Sequence, residues 1–127
     1  MSIQESGEMY LETILILSQT TENVRSVDVS DSMGFSRPSV SRAIGLLRDG
    51  GYLTVSPEGF IKLTEPGLEL AASIYERHNI ITECLKFIGV DDATAASDAC
   101  RIEHVISKDS FQAIKNYINI NKKNPDL

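Results

Sequence analysis

Several features that would set a chain apart from ordinary soluble domains are scarce here. Two cysteines in 127 residues are too few for the disulfide framework of small secreted domains. The longest purely aliphatic run is Ile14-Leu15-Ile16-Leu17, whereas a bilayer-spanning helix needs about 20 apolar residues. The opening MSIQESGEM carries glutamates and lacks the basic start of a secretory signal. Internal repeats and low-complexity tracts are missing. Basic charge is also short, with 12 Lys and Arg against 18 Asp and Glu, a net charge of −6. The expectation is a soluble, cytoplasmic chain with no membrane partner, forming one domain or two small ones that share a core.

Apolar residues at 42% and charged residues at 24% are ordinary for a globular protein. The charge is unevenly spread. Residues 24–63 hold five basic side chains (Arg25, Arg37, Arg42, Arg48, Lys62) and four acidic ones (Asp28, Asp31, Asp49, Glu58), a net +1. The remainder of the chain is net −7. Acid therefore gathers at the two ends, which leaves nucleic-acid binding open for the middle.

Periodicity and capping signals predict a helix over 8–19 with Tyr10, Ile14 and Leu17 on its apolar face, then a short helix to Met33 capped by Ser26, with Asp28 in its first turn. Gly34-Phe35 interrupts. Ser36 caps the next helix, with Pro38 where no intrahelical N–H is needed, and Gly50-Gly51 ends it. Residues 52–55 and 60–63 read as strands around the turn Ser56-Pro57-Glu58-Gly59. Thr64 caps a long helix to about Ile88, and Gly89 stops it. Asp91 caps a helix to about Ile106. Ser107 caps a last one to Tyr117 or Ile118, leaving a frayed polar tail from Asn119.

Helix, short turn, helix and hairpin is the order of a winged helix-turn-helix. In its second helix Val40, Ile44 and Leu47 share the buried face. Pro38, Arg42 and Gly45 point the opposite way, flanked by Ser39 and Ser41. Such a short-sided, hydroxylated and basic face suits the major groove. Gly45 costs about 1 kcal/mol of helix propensity against Ala, consistent with a position where small size matters. Ser36 and Arg37 open that helix, and Arg25 and Lys62 could reach phosphates. A solvated helix face or a protein-interaction module would look similar. Because cations are few, tight binding to double-stranded DNA would call for a dimer.

Outside the winged helix, Met9 and Glu12 lie at i, i+3 on the first helix. Cys100, Glu103 and His104 lie at i, i+3, i+4 on the fifth, and His78 falls in the stripe Ile74, His78, Ile81, Leu85, Ile88. Thioether, thiolate, carboxylate and imidazole form a ligand inventory for a divalent transition metal. Taken singly, each has an ordinary explanation: Met9 as core filler, Cys100 as a small hydrophobe, His78 as a core histidine, and Glu12 as a solvated carboxylate. Spacing alone leaves metal binding open.

Six segments carry a resemblance: Glu8-Met9-Tyr10-Leu11, Ser36-Arg37-Pro38-Ser39-Val40-Ser41, Leu63-Thr64-Glu65-Pro66-Gly67, Arg77-His78, Ile88-Gly89-Val90-Asp91 and Cys100-Arg101-Ile102-Glu103-His104-Val105. Over nearly its whole length the sequence resembles the diphtheria toxin repressor and manganese transport regulator family of metal-dependent transcriptional repressors. The resemblance implies a mainly α fold. A winged helix-turn-helix DNA-binding domain over 1–67 would be followed by a helical metal-binding and dimerisation domain over 68–127. It implies a non-enzymatic homodimer that binds operator DNA when loaded with metal.

Carried over by position, Met9, Cys100, Glu103 and His104 match the primary metal site of the iron-type branch. The manganese-type branch has carboxylates where this chain has Met9 and Cys100, so sulfur favours iron(II), with manganese(II) the alternative. Of the iron-type ancillary ligands only His78 remains, with Thr82 and Ala96 at the other two positions. Glu12 and His78 match a manganese-type second site, which suggests a hybrid site of Glu12, His78 and Glu103. The expectation is a short form without the SH3-like third domain of longer members, a length that resembles the manganese-type architecture. In this reading a metal that joins the first helix to the dimerisation half restricts the spacing of two recognition helices. A redox sensor pairing Cys100 with Cys84, a Cys100–His104 enzyme and a purely architectural winged helix are the rival readings.

Overall fold

The computed structural model describes residues 5–123. Contacts divide the chain into two compact units, Met1–Ser73 and Ile74–Leu127. In the first lie α1 (Glu5–Ser18), α2 (Ser26–Met33), α3 (Arg37–Asp49), β1 (Leu53–Val55), β2 (Ile61–Leu63) and the start of α4 (Glu65–Phe87). The second contains the rest of α4, then α5 (Asp92–Ile102) and α6 (Lys108–Lys123). No described helix is long and apolar enough to cross a membrane.

The first unit is a winged helix-turn-helix built on one core. Tyr10, Leu11 and Ile14 of α1, Val29 of α2, and Val40, Ile44 and Leu47 of α3 are buried together with Leu53, Ile61 and Ala71. The apolar stripe expected on α3 is thus its buried face, and Leu17 only packs partly against the same core. α1 starts at Glu5, so Glu5 and Glu8 occupy its first turn, where carboxylates meet the positive end of the dipole.

The cap of α2 differs from expectation. Arg25, with an extended backbone, is the N-cap, and Ser26 is the first helical residue. The Arg25 N–H donates to Asp28 Oδ2 at 2.9 Å, so the acidic residue in the first turn satisfies the cap and the serine is drawn inside the helix. Gly34 ends α2 at φ 73°, a left-handed conformation that favours glycine. At α3, Ser36 caps as expected by accepting from the Ser39 N–H at 3.3 Å.

β1 and β2 pair antiparallel as Leu53↔Leu63, Thr54↔Lys62 and Val55↔Ile61, each strand one residue shorter than the sequence suggests. An isolated bridge from Val24 to Ile61 widens the wing at the rung beside its turn. Thr64 fastens wing to helix: its hydroxyl donates to the Gly51 carbonyl at 2.6 Å and accepts from the Gly67 N–H at 3.3 Å. At Gly67 the α4 backbone presses on Tyr52, whose carbonyl oxygen occupies the space a Cβ would need.

In the second unit Ile81, Ala99 and Phe111 form the core, with Ile80, Leu85, Ile102 and Ile106 packed against it. Asp91 caps α5 by accepting from the Thr94 N–H at 3.1 Å, and Ser107 caps α6 through the Ser110 N–H at 3.1 Å. Three boundaries differ from expectation. α5 stops at Ile102 rather than near Ile106, because the Val105 and Ile106 N–H groups both turn onto the Ile102 carbonyl at 3.0 Å. α4 ends at Phe87, and Ile88 is 67% exposed, so the apolar stripe closes at Leu85. α6 continues to Lys123: Ile118 is buried, Tyr117 packs edge-on against Phe87, and the expected tail from Asn119 is helical that far. Residues 124–127 of that tail lie outside the described residues.

Candidate metal centre and DNA-binding face

The exposed side of the first unit carries the side chains expected to meet DNA. Ser36, Arg37, Pro38, Ser39, Ser41 and Arg42 are all exposed at the start and outer face of α3. The Ser36 hydroxyl donates to Ser39 Oγ at 2.9 Å, which orders two of the hydroxyls at the helix entrance. Arg25 is exposed, and its guanidinium lies 4.7 Å above the Phe60 ring, so the cation is steadied by an aromatic face at the wing. Lys62 is exposed on β2. An added Cβ at Gly45 would meet only the tip of the Arg48 side chain, at 4.0 Å, so nothing inside the fold demands glycine there.

Within the second unit, α4 and the end of α5 bring three candidate ligands together. His78 Nδ1 lies 2.9 Å from Glu103 Oε2 and 3.7 Å from Cys100 Sγ. The ligand atoms of His78, Cys100 and Glu103 all fall within 4.8 Å of one another. His104 stands at the edge of this group, its Nε2 3.3 Å from Glu103 Oε1. It follows α5 in a turn rather than sharing a continuous helical face with Cys100, because the helix has already ended at Ile102.

The electrostatics centre on Glu103, which is fully buried. An isolated carboxylate in that position carries a large desolvation cost. Imidazoles from His78 and His104 flank its two oxygens, and a His78 ring N–H donating to Oε2 partly offsets that cost. Cys100 is exposed and Cys84 is half-buried. A thiolate, a carboxylate and imidazole nitrogens gathered this tightly are the donors a divalent transition metal takes, so the residues present fit such an ion. At the position of one missing ancillary ligand, the Thr82 hydroxyl donates to the His78 carbonyl at 2.7 Å, and Ala96 offers no donor.

Met9 and Glu12 belong to the first unit, one turn apart on α1, with Met9 exposed and Glu12 buried. Arg77 is a residue to which the sequence reading gave no role. Its Nη1 donates to the Glu103 and Ile106 carbonyls, both at 3.2 Å. Those contacts span 26 and 29 residues, a distance over which periodicity carries no signal.

The model of the iron dependent repressor N-terminal DNA binding domain matches residues 2–60. That of the iron dependent repressor metal binding and dimerisation domain matches residues 64–127. The chain belongs to the diphtheria toxin repressor and manganese transport regulator family of metal-dependent transcriptional repressors. Among its relatives in that family is the HTH-type transcriptional regulator MntR of Lysinibacillus sphaericus, 28% identical over 96% of this chain and 88% of its own length. The iron-dependent repressor IdeR of Mycobacterium tuberculosis is 28% identical over 91% of this chain but only 50% of its own. The solved structure of the manganese regulator SloR superposes with a TM-score of 0.78 at 23% identity, covering 94% of this chain and 55% of that one. At that identity the likeness speaks for the fold. The two family models match successive stretches of the chain, the second beginning at Thr64.

Proposed function

We propose that this family member is an iron(II)-responsive repressor that binds operator DNA as a homodimer. Its metal would be held by His78, Cys100, Glu103 and His104 of the second unit, and the resemblance adds Met9 and Glu12 as candidate ligands. The observation that carries the reading is the convergence of His78 Nδ1, Cys100 Sγ and a Glu103 oxygen within 4.8 Å. Met9 and Glu12 enter on their residue types and on the resemblance in α1. The Cys100 sulfur, 3.7 Å from His78 Nδ1, together with Met9, favours iron(II) over manganese(II), whose preferred donors are carboxylate, carbonyl and water oxygens.

The chain's own residues account for the rest. Glu103 places a buried carboxyl group between two imidazoles, an arrangement that gains most from a nearby cation. A divalent ion bound there supplies that charge, and bonds that fix the separations of its ligands. Ser36, Arg37, Pro38, Ser39, Ser41 and Arg42 present a short-sided face to a major groove, while Arg25 and Lys62 contact phosphates. Two copies of α3 in a dimer meet successive major grooves about 34 Å apart. By linkage, whatever factor metal adds to operator affinity, operator adds to metal affinity.

The experiment is anaerobic calorimetric titration of chelator-treated protein and of Cys100→Ala with iron(II), cobalt(II) and manganese(II). The substitution should lower iron and cobalt affinity at least about tenfold, the loss seen even for groups one step removed from a metal, with the circular-dichroism spectrum unchanged. Equal affinities for the two proteins contradict the role of Cys100. A second reading, a manganese(II) sensor, is favoured by the near full-length correspondence with the Lysinibacillus regulator. Under it manganese binds wild type and Cys100→Ala alike.

A further inference from the structure

Glu103 is gripped from α4 at two points. His78 reaches its carboxylate at 2.9 Å, and Arg77, the preceding residue, reaches its backbone carbonyl at 3.2 Å. The same Arg77 nitrogen donates to the Ile106 carbonyl at 3.2 Å, and the guanidinium lies 5.5 Å from the centre of the Phe111 ring at the start of α6. Phe111 is itself buried, so the guanidinium rests on a fixed platform.

The segment so held needs holding. α5 ends at Ile102, and the last carbonyls of a helix have no partner inside it. Residues 103–106 form a turn in which the Glu103, Val105 and Ile106 N–H groups are used on Ala99 and Ile102, while the Glu103 and Ile106 carbonyls face α4. A cationic donor at a helix C-terminus satisfies such carbonyls and complements the dipole. The two side chains nearest the turn, Glu103 and His104, are the ones assigned to the metal. Without Arg77 the turn would keep its covalent connection to α5, and its tie to α4 would rest on the His78–Glu103 contact alone.

We infer that Arg77 is a positioning residue for the metal centre: it sets Glu103 and His104 against His78 by binding the backbone of the turn that bears them. This rests on the metal reading proposed above. An Arg is suited to the task because its planar head can donate in two directions while stacking on an aromatic ring. A lysine ammonium can supply a donor but no planar stack.

Cobalt(II) tests the assignment, read by affinity and by the thiolate-to-cobalt absorption that reports Cys100. The proteins are wild type, Arg77→Lys, Arg77→Met and Glu103→Gln, each full length. Arg77→Met keeps an aliphatic stem over Phe111 and removes the donors. It should lower cobalt affinity about tenfold, within the range for groups that orient metal ligands, and alter the absorption spectrum. Arg77→Lys should recover part of both. If Arg77→Met lowers only the melting temperature of the metal-free protein, with affinity and spectrum as in wild type, the positioning role is overturned. Should Glu103→Gln also bind cobalt as wild type does, the metal reading itself fails, a result separable from failure of Arg77 alone. Were Arg77→Met too unstable to assay, Arg77→Lys decides: an unchanged spectrum and affinity with a lowered melting temperature would overturn the proposal.

Discussion

At the level of single residues, function and fold make opposite demands on two glycines. Gly67 is required by the interior, since the Tyr52 carbonyl oxygen fills the place of a Cβ. Gly67→Ala must therefore push α4 off the wing, at a cost of about 1–3 kcal/mol or more, as for other overpacked sites. Urea denaturation followed by far-UV circular dichroism would measure it, and an unchanged midpoint would contradict the contact. Gly45 is required by nothing inside the protein, its added methyl meeting only Arg48 at 4.0 Å. Gly45→Ala should stabilise the chain by up to about 1 kcal/mol through helix propensity while weakening operator binding, because the methyl points from the exposed face of α3. A variant both more stable and equally tight on DNA would show that this face does not approach the groove closely. His78 shows how far single positions can be read from sequence. Its place in the apolar stripe from Ile74 to Leu85 is visible as a period, but its partners Cys100 and Glu103 are 22 and 25 residues away, so only the fold brings it to them.

Among the elements, those whose ends are fixed by local chemistry match what their sequence announces. Ser36, Thr64, Asp91 and Ser107 each cap the helix they precede. Misread ends are the ones decided at a distance or by competition. Asp28 outbids Ser26 at α2, the Ile102 carbonyl collects two N–H groups and stops α5, and burial of Ile118 carries α6 onward to Lys123. Asp91 gives a titratable handle on α5. The Thr94 side chain and N–H, bonding to it, hold its carboxyl below the ordinary value of 3.8. A depressed carboxyl stabilises the fold fully above its unfolded value, and that contribution is lost as pH falls from there through the lower folded value. The melting temperature should thus decline more steeply in wild type than in Asp91→Asn below about pH 4. Parallel decline of the two proteins, followed by thermal circular dichroism, would remove Asp91 as a charged cap.

For the molecule as a whole, the uneven charge has a direct consequence. The residues from 24 to 63 carry a net +1 within a chain of net −6, so one subunit offers DNA few cations in a repelling field. Operator binding by a dimer using Arg25, Arg37, Arg42 and Lys62 from each copy would neutralise about eight phosphates, giving a slope of log affinity against log salt on the order of −7. A slope of half that or less, read from retardation assays across salt concentrations, would indicate a monomer on the operator or fewer phosphate contacts. The acidic remainder of the chain disfavours loose, sequence-independent binding, which makes control by an added cation physically reasonable.

Metal-dependent operator binding is the central claim. Its most direct test is retardation of the gene's own upstream DNA by chelator-treated protein, under anaerobic conditions, with and without added iron(II). No specific complex is expected in chelator and a discrete one on adding iron, lost again in Glu103→Gln. Equal retardation with chelator and with iron would contradict that claim, leaving a winged helix whose binding to DNA does not answer to the cluster of His78, Cys100 and Glu103.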